Sequence, residues 1–207
     1  MIDIKRHTFS SPLLQGVVND AVTFFERTPD YELPPPDGFG GLGVYAIYYL
    51  GDHEQYKHLA AANKSGCKLP IYVGKAVPTG WRTGRSGGED EKKTVGGRLR
   101  EHQRSILKTK TLNVRDFRCR FMILQGTEAD LISTVEAALI RRYRPMWNTL
   151  IDGFGNHDPG SGRYNQAKSE WDVLHPGREW ADRCTGKCAT LSQILSKIRD
   201  HQRPSLL

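Results

Sequence analysis

Residues 116–124 constrain the fold most, because they alternate apolar and cationic side chains over the length of one strand. Phe117, Cys119, Phe121 and Ile123 alternate with Arg118 and Arg120. Successive side chains of a β-strand point to opposite faces of the sheet. The pattern therefore predicts a strand with one buried face and one face that carries positive charge.

Other apolar patterns along the chain predict a mixture of helices and strands. Two further strands are predicted at residues 43–50 and 70–75, and helices at residues 12–27, 95–107, 127–143 and near 191–198. Thr127 is the expected N-cap of the third helix, with Asp130 at the capping-box position. The order of these elements predicts an α+β fold in which helices cover a small sheet.

Charge and composition limit the class of protein. The 207 residues carry a formal net charge of +7, which attracts polyanions, although an ordinary basic surface explains the charge equally well. No stretch approaches the roughly 18 apolar residues of a membrane span, and no signal-peptide pattern is present, so we expect a cytoplasmic protein without a membrane partner. Cys184 and Cys188 lack the second ligand pair of a zinc site, which favours free thiols.

Glu136, Arg98 and His102 are the first candidates for chemistry. Glu136 falls on the apolar stripe of its helix, where a carboxylate is costly unless it binds a metal or pairs with a cation such as Arg118 or Arg120. Arg98 and His102 are one helical turn apart, which suits a phosphate. Alternatively, His102 is an ordinary residue at the edge of the core.

Tyrosines in the predicted strands complete the pattern. Cross-strand packing explains them in the simplest way, but Gly43-Val44-Tyr45 and Tyr72-Val73-Gly74 resemble the two defining triplets of the GIY-YIG nucleases. Further positions that match motifs of that family are Lys75, Arg98, His102, Glu136 and Asn148. The resemblance implies a mainly antiparallel three-stranded sheet flanked by helices.

The same resemblance divides the chain into three parts. Residues 1–40 would form an N-terminal helix and Pro-rich arm, and residues 41–150 would form the nuclease core, with insertions at about 51–69 and 77–95. Residues 151–207 would form a C-terminal extension for DNA contact and dimer support. The wide spacing of the triplets and the run from Gly153 to His157 are similar to the Type II restriction endonucleases of this superfamily that cut CCGCGG.

This similarity implies site-specific, metal-dependent hydrolysis of double-stranded DNA that leaves 5′-phosphate and 3′-hydroxyl ends. Glu136 would hold one Mg²⁺, with Mn²⁺ as a substitute, and Arg98 would neutralise phosphate charge. Tyr45 or Tyr72 would act as the base, its pKa lowered by Lys75, His102 or the metal. Asn148 would orient a ligand or a phosphate.

DNA recognition is expected to lie in the insertions and flanks. The candidates are Arg82, Arg85, Lys92, Lys93, Asn156, His157, Arg163, Asn165, Gln166 and Lys168. Arginine contacts to guanine suit a GC-rich site, although more than half of these residues are expected to touch no base. A palindromic target implies a homodimer, and a cognate DNA methyltransferase is expected in the cell.

Three alternatives remain open. A homing or repair nuclease of the same superfamily would carry further domains, for which the segment after the core is short. A non-catalytic DNA-binding protein on this scaffold would not need the full set of catalytic residue types. An RNA-binding module fits the basic charge, but the sequence contains neither an RNP nor a KH pattern.

Overall fold

A four-stranded antiparallel sheet lies at the centre of the computed structural model, which describes residues 1–77 and 94–202. The strands are β1 (Asp30–Glu32), β2 (Gly43–Tyr49), β3 (Pro70–Ala76) and β4 (Phe117–Ile123), in the spatial order β1-β4-β2-β3. Every neighbouring pair is antiparallel. The α+β class and the antiparallel sheet flanked by helices are confirmed, and the short β1 joins the three predicted strands.

The helices surround this sheet. They are α1 (Pro12–Arg27), α2 (Lys57–Asn63), α3 (Val95–Leu107), α4 (Ile132–Tyr143), α5 (Met146–Thr149), α6 (Glu170–Leu174), α7 (Glu179–Asp182) and α8 (Leu191–Gln202). The pattern predicts α1, α3 and α8 correctly. The expected start of α4 at Thr127 is wrong, because residues Gly126–Leu131 form a 3-10 turn and the α-helix begins only at Ile132.

The short strand β1 lies within the predicted Pro-rich arm, just before its prolines. Its residues pair with β4 so that Asp30 lies opposite Arg120 and Glu32 opposite Arg118. Opposite charges directly across two antiparallel strands stabilise the pairing. The acidic residues before the prolines therefore add a strand at the edge of β4.

Helices cover both faces of the sheet. Tyr45, Ile47 and Tyr49 of β2 pack in the cluster that contains α3, α5 and the C-terminal aromatic residues. The alternate residues of β2 pack in a second cluster with α1 and α4. The face of β4 that carries the predicted cations is therefore covered, and the Arg120 guanidinium donates to the Glu26 carbonyl of α1 at 2.8 Å.

Part of the predicted DNA-reading set falls in a stretch that the structure does not describe. Arg82, Arg85, Lys92 and Lys93, together with most of the predicted insertion at 77–95, lie outside the described residues. Among the helices of residues 1–77 and 94–202, none is long and apolar enough to cross a membrane.

Candidate active site

Strands β2 and β3 bring the two triplet tyrosines together. Tyr45 lies opposite Gly74 in the register of the two strands. Its ring occupies the space above that glycine, since a Cβ on Gly74 would lie 2.5 Å from the Tyr45 hydroxyl oxygen. The Tyr72 ring centroid is 6.4 Å from that of Tyr45. The glycine of the second triplet is therefore required for the tyrosine of the first.

Helix α3 brings His102 and Arg98 to these tyrosines. Thr94 caps the helix by accepting the Gly97 N–H at 3.1 Å, which fixes the start of the helix that carries both side chains. His102 is buried, and its Nε2 lies 2.8 Å from the Tyr45 hydroxyl oxygen. The Arg98 Nη1 donates to Glu101 at 2.6 Å and contacts His157 Nε2 at 2.8 Å.

Burial dominates the titration of these groups. It lowers the pKa of His102 well below 6.5, and the nearby Arg98 charge lowers it further. Burial raises the pKa of Tyr45 well above its ordinary value and the pKa of Tyr72 to about 12, although Arg98 acts in the opposite direction on both phenols. The expectation that Lys75 or His102 lowers the tyrosine pKa is not met, because burial outweighs the neighbouring charges, and the effect expected from a metal stays a prediction.

Helix α4 places Glu136 beside strand β3. The Glu136 Oε2 lies 2.7 Å from the Lys75 Nζ, and 19% of the Glu136 side chain remains exposed. The carboxylate therefore pairs with Lys75 rather than with Arg118 or Arg120. Its charge also reaches both tyrosines, because Glu136 adds to the rise in the pKa of each.

Glu136 is also the candidate metal ligand. Mg²⁺ prefers oxygen ligands and is commonly held by one or two carboxylates together with water and substrate phosphate oxygens. A single, partly exposed carboxylate fits that mode of binding. Within the described parts of the chain, no three His, Cys, Asp or Glu side chains gather into a preformed metal cage, so substrate and water would supply most ligands.

Asn148 contacts the strand that carries the second triplet. Its Oδ1 accepts the Val73 N–H at 2.7 Å, and its Nδ2 donates to the Val73 carbonyl at 2.8 Å. Val73 lies between Tyr72 and Gly74 on the outermost strand β3. The Asn148 amide therefore holds this strand, and its expected role of orienting a ligand or a phosphate stays a prediction.

A comparison with protein families shows to which family the chain belongs. Residues 37–202, which are most of the chain, match the model of the Eco29kI GIY-YIG domain. The chain belongs to the Eco29kI GIY-YIG family. Because this is a restriction endonuclease family, DNA is the implied partner, and the expected GIY-YIG relationship is confirmed. A search of curated proteins found no match.

The GIY-YIG match extends past residue 150 into a segment that also lines the site. The Phe154 ring stacks on His102 with centroids 4.6 Å apart and meets the Tyr72 ring edge-on at 5.0 Å. The sequence analysis named neither Phe154 nor Glu101 as a site residue. Phe154 could have been found as the aromatic residue between two glycines in the run from Gly153 to His157. That run was used only to indicate the similarity to Type II restriction endonucleases.

The predicted DNA-reading residues of the C-terminal extension are spread over its surface. His157 reaches Arg98, and with Asn156 it lines a cleft of about 230 Å³ between α3 and the segment after Phe154. Arg163, Asn165 and Gln166 lie exposed in the following turns. The Lys168 ammonium is bonded to Asp182. Within this set, His157 contacts a residue of the GIY-YIG motifs, Arg98.

Proposed function

We propose that the chain is a Type II restriction endonuclease that makes double-strand cuts in DNA by metal-dependent phosphodiester hydrolysis. The observation that carries the proposal is the convergence of Tyr45, Tyr72 and His102, close enough to Arg98 and Glu136 for both charges to act on the two phenols, in a chain of this family. The target is a palindromic GC-rich site, CCGCGG by resemblance. The products carry 5′-phosphate and 3′-hydroxyl ends.

Arg98 would neutralise the scissile phosphate. Its guanidinium presents fixed donors that match phosphate oxygens, and its contacts with Glu101 and His157 orient it before DNA arrives. Donors that are already in place need no rearrangement when negative charge develops in the transition state. The transition state therefore gains more from Arg98 than free DNA does.

Tyr45 and His102 would together remove the proton from the attacking water. The neutral His102 accepts the Tyr45 proton at Nε2 while the Tyr45 oxygen takes the proton from water, so no phenolate is needed at rest. The water oxygen forms a bond to phosphorus as the bond to the 3′ oxygen breaks. The 3′ oxygen would then take a proton from solvent, and His102 would release the proton that it accepted. Tyr72, on the adjacent strand, would border the attacking water.

A divalent ion on Glu136, Mg²⁺ with Mn²⁺ as a substitute, would stabilise charge on the phosphate and on the leaving oxygen. Lys75 orients the carboxylate through the 2.7 Å ion pair.

Exchange of this carboxylate is therefore the sharpest test of the site. Glu136→Gln should abolish cleavage and leave DNA binding within a few-fold of the wild type. Glu128→Gln, at an exposed position just before α4, is the matched control and should cut normally.

The activity itself is tested with unmethylated plasmid DNA. Incubation with Mg²⁺ should give discrete fragments, and sequencing of their ends should reveal one common palindromic site. A chelator should stop the reaction. A ladder of random fragments, or intact plasmid at every metal tested, would contradict the proposal.

A palindromic target requires the same reader on each half-site, so we propose that a homodimer cuts the DNA. Gel filtration of Glu136→Gln with a duplex that contains the site should yield a complex of two chains and one duplex. A complex with one chain for each duplex would exclude the dimer without excluding the nuclease.

A further inference from the structure

Arg178 is buried beside the active site with its whole guanidinium engaged. Two N–H groups donate to the Asp172 carboxylate at 2.6 and 2.7 Å. The others donate to the carbonyls of Gly153, Phe154 and Asn156 at 2.8, 3.1 and 3.0 Å. A guanidinium has five N–H donors, so all of them are used.

Two indole rings enclose this guanidinium. Its central carbon lies 4.6 Å from the Trp171 ring centroid and 4.8 Å from that of Trp180. Only 2% of Arg178 and 1% of Asp172 is exposed. Burial of an ion pair is costly, and it is tolerated where further hydrogen bonds satisfy the remaining donors. Lysine, with three donors on a flexible stem, cannot reproduce this planar pattern.

The three carbonyls belong to a single segment, residues 153–157, which we call the site wall. Because their acceptors converge on Arg178, the path of the site wall depends on that side chain. Without the guanidinium, these carbonyls would point into a buried space without donors, which costs about 1–3 kcal/mol for each unsatisfied group. The segment would then move to reach water.

The site wall contacts three residues of the GIY-YIG site. Phe154 covers His102, and His157 contacts Arg98. Gly155 lies against Tyr72, since a Cβ on this glycine would lie 2.8 Å from the Tyr72 hydroxyl oxygen. Movement of the segment would therefore disturb a phenol, an imidazole and a guanidinium together.

We propose that Arg178 and Asp172 are positioning residues for DNA cleavage, which hold the site wall so that Tyr72, His102 and Arg98 stay aligned. This inference rests on the proposed nuclease function. Neither residue touches the reacting atoms, so their loss should slow the chemical step more than it weakens DNA binding. A misplacement of about 1 Å in an active site can cost about 100-fold in rate.

The first test is Arg178→Lys, with the cleavage rate measured in a single turnover at saturating DNA. We expect a loss of about 100-fold, with the dissociation constant for DNA changed only a few-fold. Arg183→Lys is the matched control, because the same exchange there affects an exposed ion pair with Asp158 in the same extension. It should leave the rate unchanged.

Gly155→Ala provides a second variant that leaves the buried ion pair intact, for the case that Arg178→Lys does not fold. The added methyl group would press on the Tyr72 hydroxyl and displace the site wall, so the rate should fall by a comparable factor. Gly162→Ala is its control, since a Cβ there would meet open space among the described residues. When Arg178→Lys and Gly155→Ala are combined, the fold loss in cleavage rate should be smaller than the product of the two single losses, because both changes act through one segment.

A titration of His102 by NMR, without DNA or metal, separates this inference from the proposed function. Burial, to which the stacked Phe154 ring contributes, lowers the pKa of His102 well below 6.5 in the wild type, and the charges of Arg98 and Arg178 lower it further. Release of the wall should hydrate the ring and raise that pKa in both variants.

Unchanged cleavage rates, or an unchanged His102 titration in Gly155→Ala, would overturn the inference. A wild type that cuts no DNA would refute the proposed function, and the titration would still decide the role of the wall.

Discussion

At the scale of single residues, His175 should control part of the dependence of stability on pH. Its Nε2 lies 2.5 Å from the Tyr56 hydroxyl oxygen and its Nδ1 lies 2.7 Å from the Thr111 hydroxyl oxygen. Burial lowers the pKa of His175 from 6.5 to about 3. The unfolded chain therefore binds the proton first as pH falls. The contribution to the free energy of unfolding is full above pH 6.5 and is lost progressively down to about pH 3.

Urea denaturation of the wild type and His175→Gln at about pH 7 and about pH 4.5 checks this. Each pH unit within the window is worth about 1.4 kcal/mol, so the wild type should lose on the order of 3 kcal/mol more than the variant. The other histidines are present in both the wild type and the variant, so their contributions to the pH dependence cancel in the comparison. Parallel pH dependences would show that His175 is not buried in its neutral form.

Asn148 offers a choice between a role in folding and a role in DNA contact. Its amide satisfies both polar groups of Val73, so Asn148→Ala should lower the free energy of unfolding by about 2 kcal/mol. The cleavage rate should fall as well, because Tyr72 precedes Val73. Asn165→Ala, at an exposed position, should leave stability unchanged. Lost cleavage at full stability would return Asn148 to the role of orienting a phosphate.

The residues of the site could be named from the sequence, but their contacts could not. Tyr45, Arg98, His102 and Glu136 follow from motif order and from the helical spacing of the second and third. The partner of Glu136 is Lys75, which is remote along the chain. Burial raises rather than lowers the tyrosine pKa values, and burial depends on the tertiary packing of the site wall.

At the scale of the elements, the end of α4 stores backbone strain that a single change should relieve. Arg144 follows the helix with φ 45° and ψ 55°, and its N–H bonds the Ile140 carbonyl at 2.8 Å. This left-handed conformation costs about 1 kcal/mol in residues with a Cβ and almost nothing in glycine. Arg144→Gly should therefore raise the free energy of unfolding by up to about 1 kcal/mol.

Arg141→Gly is the counterpart of that change inside the same helix. Glycine in a helix interior is destabilising by about 1 kcal/mol relative to alanine, so this variant should be less stable than the wild type. Both free energies are measured by urea denaturation. Equal destabilisation by the two changes would mean that the strain at Arg144 does not limit stability.

Element prediction succeeds where one local pattern decides and fails where two segments must meet. The bounds of α3 and the alternation of β4 follow from apolar spacing within each segment. Strand β1 depends on its pairing with the remote strand β4, where its acidic residues lie opposite Arg118 and Arg120, and the local pattern around the prolines does not reveal this pairing. The late start of α4 likewise reflects a 3-10 turn that overrides the expected cap at Thr127.

At the scale of the whole molecule, the net charge of +7 should make DNA binding strongly dependent on salt. Each phosphate that a cation neutralises releases counterions, and the logarithm of the binding constant falls with the logarithm of salt by about 0.9 for each contact. Glu136→Gln, which binds without cutting, provides the background for the measurement. In that background, Arg98→Gln should reduce the slope by about one.

His157 provides the matched comparison, because it contacts the same guanidinium. Burial and the Arg98 charge lower the pKa of His157 from 6.5, so its ring is neutral at about pH 7.5 and releases no counterion. His157→Gln should then weaken binding at every salt concentration without changing the slope, as fluorescence anisotropy with a labelled duplex would measure. An equal slope for Arg98→Gln and its parent would mean that Arg98 does not meet a phosphate, and the catalytic role proposed for it would be lost.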